Sequence, residues 1–242
     1  MPDDGFVKQT IDNGVGTISF YHPKKNSLPG NVLKDLAEAV THMGLNDDVK
    51  VILLRSEGHS PYCAVKDAVS GTAFFMCFAR LILAMKYCPI FVVVRAQGKA
   101  VGGGVGVICA ADYVIATDRA STILSEMALG FGPFVIGPVV ERRIGAGPFA
   151  AMTVDTDWRD AKWAERHGMF AQVVTDIDAL DDAVNELTDK LASSNPDAMM
   201  RLKNVFWQGT DHWDDLLADR ARMSGELVLS DFASKAIGAF RK

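Results

Sequence analysis

Cysteine is scarce in this chain, four residues in 242, and none of the four forms a Cys-x-x-Cys pair. That spacing offers neither a redox dithiol nor a zinc knuckle, so Cys63, Cys77, Cys88 and Cys109 are expected to be thiols in a reducing compartment. Basic charge is short as well: 25 lysines and arginines stand against 30 aspartates and glutamates, a net charge of −5. A nucleic-acid binder would be expected to carry a basic patch or stripe. No apolar run approaches the roughly 20 residues that cross a bilayer. The opening Met-Pro-Asp-Asp-Gly shows no export or transit pattern, and a cytoplasmic protein is expected. Internal repeats and low-complexity tracts are missing, and no metal site is expected.

What is present suits one large α/β domain, with 49% hydrophobic and 23% charged residues. Phe6–Ile11 and Gly16–Phe20 alternate as a hairpin around Asn13-Gly14. A helix over Asn31–Met43 buries Val32, Leu33, Leu36 and Val40 on one face. Val49–Leu54 reads as a strand, Phe74–Lys86 as an apolar helix, and Ile90–Val94 as a strand buried on both faces. This alternation predicts right-handed crossovers and a mainly parallel sheet. Helical pieces are expected at Val135–Ile144 and Arg159–His167, with Val173-Val174 as a late strand. The remainder reads as helices over Ala179–Ser193, Pro196–Gln208 and Thr210–Leu229. There Phe206, Trp207, Trp213, Leu216, Leu217, Leu227, Val228 and Leu229 present more apolar surface than a helical tail would expose, which predicts an oligomer.

The chain is organised around Arg95 to Ala116, where the buried strand feeds Gly102-Gly103-Gly104, a short apolar helix and the strand Tyr113–Ala116. Such a turn leaves the first helical N–H groups without partners, and the missing side chains admit close approach. It is a candidate oxyanion site. Tight strand-to-helix packing explains the same glycines equally well. A dinucleotide fingerprint is excluded, because Val107 stands where its last glycine would fall, and there is no Gly-Lys-Ser/Thr phosphate loop.

Gly98 to Gly104 followed by Ala111-Asp112-Tyr113-Val114-Ile115-Ala116 resembles the Gly-x-x-x-Gly-Gly-Gly segment and Ala-Asp strand of the crotonase, or enoyl-CoA hydratase/isomerase, superfamily. The resemblance continues through His22-Pro23-Lys24-Lys25-Asn26-Ser27-Leu28, Val51–Leu54 with Tyr62-Cys63-Ala64, Ser125–Gly130, and Trp163–Met169. It implies an α/β fold, a spiral of ββα units with a C-terminal helical region, divided as an acyl-CoA core over 1–178 and an oligomerisation region over 179–242. It also implies a homotrimer or homohexamer. Coenzyme A would enter as part of the substrate, and no separate cofactor is implied.

Carried over residue by residue, the resemblance makes Glu126 the acid and base, with Gly103 as one oxyanion donor and Ala64 as the place of the other. Lys24, Lys25, Asn26, Leu28 and Gly102 would contact the acyl-CoA. Lys24-Lys25 and Arg142-Arg143 otherwise read as solvated surface. Glu126 stands among Ile123, Leu124, Met127, Ala128 and Leu129, apolar neighbours that would raise its pKa. Hydratases of the family usually carry a first glutamate just after the glycine triplet, and Gly106 occupies that position here. One remaining acid favours moving a 3,4 double bond to the 2,3 position, which needs one base shuttling one proton. Hydration by Glu126 alone, and a non-catalytic acyl-CoA-binding protein, are the alternatives. His59 and His167 read as surface or turn residues, Cys63 as an interior residue, and Asp112 as the close of a helix-to-strand turn.

Family members also continue from Cys-Ala into Gly-x-Asp-Leu and roughly ten further residues, a length ordinary for a functional loop. Here Val65 follows Ala64 directly and no glycine appears until Gly71. Residues missing between Ala64 and Val65 are expected, rather than a genuine deletion.

Overall fold

The computed structural model describes residues 5–58, 62 and 71–240. Strands β1 (Phe6–Asp12) and β2 (Val15–Tyr21) pair antiparallel around Asn13 and Gly14, whose φ values of 48° and 82° meet the demand of a two-residue hairpin turn. Helix α1 (Gly30–Gly44) follows, then β3 (Val51–Ser56), α2 (Thr72–Tyr87), β4 (Phe91–Ala96), β5 (Ala100–Val101), α3 (Gly103–Ala110), β6 (Tyr113–Thr117) and β7 (Ser121–Ile123). Beyond a 3₁₀ turn at Met127–Leu129 come α4 (Gly137–Ile144), α5 (Ala146–Asp155), β8 (Arg159–Asp160), α6 (Ala161–Arg166) and β9 (Gln172–Val174). Helices α7 (Ile177–Ala192), α8 (Pro196–Phe206), α9 (Trp213–Val228) and α10 (Asp231–Phe240) close the chain.

The main sheet runs β1-β2-β3-β4-β6-β9 and is parallel except for its opening hairpin, as the alternation of elements predicts. Its central strands are buried on both faces. Ile52, Leu54, Val114 and Ala116 point into the main core with α1 and α2, whereas Leu53 and Ile115 pack on the other side against Leu180 and Val184 of α7. A second, three-stranded sheet, β5-β7-β8, falls partly in a region the sequence reading leaves irregular. Strands of two or three residues are too short to show alternation. Helices α5 and α10 also escape that reading. Gly147 and Pro148 mask the first, although proline is well tolerated in a first helical turn.

The C-terminal apolar surface needs correction. Trp207, Trp213, Leu217 and Val228 are buried within the chain, because α9 packs against α2 and the two tryptophans meet edge to face at 5.6 Å. Phe206, Leu227 and Leu229 are exposed. Helix α8 is anchored by Lys203, whose buried ammonium donates to Asp112 Oδ2 at 2.8 Å and to the Ile90 carbonyl at 3.0 Å. Asp112 Oδ2 also accepts from the Val92 N–H at 2.7 Å, so its role joins the turn to the sheet and to α8. Removing one partner of such a pair typically costs about 3–5 kcal/mol, because a buried charge is left alone.

Candidate active site

Parallel strands bring three connections to one edge. The loop after β2, the connection after β3 and the glycine turn after β4 all leave from the carboxyl ends of neighbouring strands, where ligands of open α/β sheets bind. The Tyr62 N–H donates to the Lys99 carbonyl at 2.8 Å, which ties the second connection to the third.

The glycine turn is fixed by pairing with β7. Val101 lies opposite Ile123, and the Gly102 N–H donates to the Ile123 carbonyl at 2.9 Å. Gly102 takes φ 53° and ψ −117°, a conformation that side-chain-bearing residues rarely adopt, and turns the chain into α3. All of α3 is buried, yet among the described residues neither the Gly103 nor the Gly104 N–H donates a hydrogen bond. Against Gly103 lies the ring of Phe78 from α2, 2.3 Å from where a β-carbon would stand. Only a residue without a β-carbon admits this ring.

The same β5–β7 pairing delivers Glu126, three residues beyond Ile123. Its carboxyl lies over Gly102: a β-carbon there would be 2.7 Å from Oε1. Glu126 is 7% exposed, and among the described residues its Oε2 has no hydrogen-bond partner. Burial pushes its pKa up from 4.5 to about 7, partly opposed by its own backbone N–H. The direction and its cause, loss of hydration, are those expected from the sequence, although Met127 and Ala128 among the named neighbours are exposed. The glycine turn packs against the carboxyl as well.

Position 106 is filled rather than vacant. A β-carbon on Gly106 would stand 2.5 Å from Ile136 Cγ2 and 2.8 Å from Ile136 Cβ. Neither Phe78 nor Ile136 is singled out by the sequence, because both act through contacts far along the chain. The glycines at 103 and 106 were the available signal.

In the loop after β2, Lys24 and Lys25 are exposed while Asn26 and Leu28 are buried. Asn26 Oδ1 accepts from the His22 N–H at 2.9 Å and its Nδ2 donates to the Glu57 carbonyl at 3.0 Å. Lys25 and Asn26 hold φ values of 56° and 52°, so the loop is a pinned turn that lifts two ammonium groups outward. Arg143 is half-buried, and Arg142, exposed as expected, also reaches back to the protein. Arg142 lies over the Trp207 ring at 4.7 Å, and Arg143 Nε donates to the Cys109 carbonyl at 3.3 Å. His167 stacks on Trp163 at 4.0 Å and bonds its carbonyl through Nδ1. Ala64, Cys63, His59 and the expected discontinuity between Ala64 and Val65 lie outside the described residues. Among the described residues no three His, Cys, Asp or Glu side chains gather as a metal site, and no helix is long and apolar enough to cross a membrane.

Residues 10–234 match the family model described as enoyl-CoA hydratase/isomerase. A (7aS)-7a-methyl-1,5-dioxo-2,3,5,6,7,7a-hexahydro-1H-indene-carboxyl-CoA hydrolase of Rhodococcus jostii is 29% identical over 208 residues, 79% of this chain and 76% of that protein. An (E)-benzylidenesuccinyl-CoA hydratase of Thauera aromatica is 26% identical over 216 residues, 85% of this chain and 83% of its own. The crystal structure of an enoyl-CoA hydratase from Mycobacterium avium subsp. paratuberculosis superposes with a TM-score of 0.89 at 22% identity, covering 97% of this chain and 95% of that one. That likeness establishes the α/β fold expected from the resemblance.

Proposed function

The chain belongs to the enoyl-CoA hydratase/isomerase family, and from that premise we propose that it moves the double bond of a 3-enoyl-CoA thioester to the 2,3 position with Glu126 as the single proton carrier. The observation that carries this reading is the Glu126 carboxyl, buried over Gly102 with Oε2 unpartnered among the described residues. As carboxylate it takes a proton from C2, the electron pair spreads through the thioester, and negative charge gathers on the thioester oxygen. The Gly103 N–H, which donates no hydrogen bond among the described residues, stabilises that oxygen; one such donor is typically worth about 3–4 kcal/mol. The same carboxyl then gives the proton to C4 as the C2=C3 bond forms. A pKa of about 7 suits a group that must accept and then donate.

Lys24 and Lys25 meet the phosphates of coenzyme A, with Asn26 holding their loop, while the backbone at Leu28 and Gly102 lines the thioester's path. Ala64 marks the place of the second oxyanion donor. Coenzyme A is part of the substrate. A second reading, hydration or hydrolytic attack by water activated at Glu126 alone, is favoured by the names of the two relatives above. A panel of 2-enoyl-CoA and 3-enoyl-CoA esters, assayed separately for hydration and double-bond migration, decides between them. Migration is expected to be faster; hydration tenfold faster than migration, about 1.4 kcal/mol in barrier, rejects the isomerase reading. Turnover of neither substrate selects the non-catalytic one.

We extend the proposal to assembly. Leu202, Val205, Phe206 and Leu229 are 44–60% exposed on α8 and just beyond α9, and a homotrimer or homohexamer would cover such a face. Light scattering should give a mass of three or six chains at micromolar concentration; a stable single-chain mass excludes both.

A further inference from the structure

Gly102 and Gly106 are one helical turn apart and are joined directly, the Gly106 N–H donating to the Gly102 carbonyl at 3.4 Å. A β-carbon added to the first would strike Glu126 Oε1 at 2.7 Å, and one added to the second would strike Ile136 Cγ2 at 2.5 Å. The carboxyl therefore abuts the cap residue of α3 and the Ile136 side chain abuts its first turn. Ile136 is 1% exposed and belongs to the main core. Its contact with Gly106 is made by Cβ and Cγ2, atoms fixed to the backbone, and β-branching leaves χ1 little freedom. The chain has thus not merely lost a carboxylate at position 106. An apolar wall stands in the space.

We propose that Ile136 determines the reaction specificity of this site, by occupying the space of a second acid and of the water it would hold. This rests on the isomerase reading above. With that space closed, a proton on Glu126 has only substrate carbon to return to. With it opened and furnished with a carboxyl, water can be held and added, its oxygen bonding C3 and a proton going to C2.

The geometry dictates the variants. Gly106→Glu alone meets Ile136. Adding Ile136→Ala does not free the site, because that β-carbon still stands 2.8 Å from the new one; Ile136→Gly leaves Cα as the nearest atom of that residue, at 3.8 Å, an ordinary contact. We expect G106E to lose thermal stability without gaining hydration of 2-enoyl-CoA, and G106E/I136G to hydrate at least tenfold faster than the parent. Equal gains in G106E and G106E/I136G overturn the proposal, as does a folded double variant with no gain. Ile136→Ala supplies a readout that needs no new acid: with 3-enoyl-CoA deuterated at C2, the fraction of label carried to C4 should fall at least twofold as water enters. Unchanged label transfer in I136A overturns the proposal even if the double variant does not fold. A parent that fails to isomerise removes the premise, and is told apart from failure of the inference because hydration in the double variant is measured independently.

Discussion

Glu126→Gln is expected to lower the rate of double-bond migration by about 10²–10⁴-fold, the usual contribution of a positioned acid or base, and to stabilise the protein above pH 7. Glutamine keeps the shape over Gly102 but can neither take nor return the proton. The stability gain follows from linkage. Below the ordinary value of 4.5 the carboxyl is protonated in both folded and unfolded chains, and its contribution to stability is fully present. Between 4.5 and about 7 the unfolded chain ionises while the folded one still holds its proton, so stability is lost as pH rises through this window. The difference of about 2.5, at about 1.36 kcal/mol for each pKa unit, comes to about 3 kcal/mol. Glutamine does not titrate and escapes that loss. Urea midpoints should therefore show E126Q gaining on the parent between pH 5 and pH 8, while parental kcat/KM climbs with pH to a plateau above about 7. Full activity in E126Q would dismiss Glu126 as the base. A stability difference independent of pH would mean that the carboxyl is not desolvated.

That coupling of cost and function explains what could be read from the residues alone. The strands β3 and β4 were legible because a two-sided burial demands apolar, β-branched runs such as Val51–Leu54 and Phe91–Val94, and β2 because its alternation follows an Asn-Gly turn. Glu126 was legible only through the family pattern around it. Its immediate neighbours suggested an apolar setting, and burial does raise its pKa, although Met127 is 52% exposed and a further contact comes from Gly102, twenty-four positions earlier. The wall at Ile136 and the ring of Phe78 could not be read, because a glycine in a sequence says that a side chain is missing but not what has taken its place. Strands β5, β7 and β8, which hold the glycine turn and the acid in register, are two or three residues long and carry no periodic signal. The fold was written in long elements, and the site in short ones.

Gly102→Ala tests whether that short-range register matters to chemistry. Two costs fall on one methyl group. Alanine is strained at φ 53° and ψ −117°, a backbone penalty of about 1–3 kcal/mol, and its β-carbon would press to 2.7 Å on Glu126 Oε1, where real contacts begin above 3 Å. Relief requires that the carboxyl swing away or that the turn unwind and carry the neighbouring Gly103 N–H with it. Either movement displaces a reacting group by an amount near 1 Å, which is worth about 10² in rate. We expect kcat to fall about 100-fold or more with KM little changed, because Lys24 and Lys25 lie on a separate loop pinned by Asn26. Combining Gly102→Ala with Glu126→Gln separates the two routes. If alanine acts by moving the carboxyl, it adds little once the base is gone, and the cycle is strongly non-additive. If it acts by moving the Gly103 N–H, its effect persists in the E126Q background. A G102A protein with parental kcat would show that the contact between the turn and the acid is packing alone.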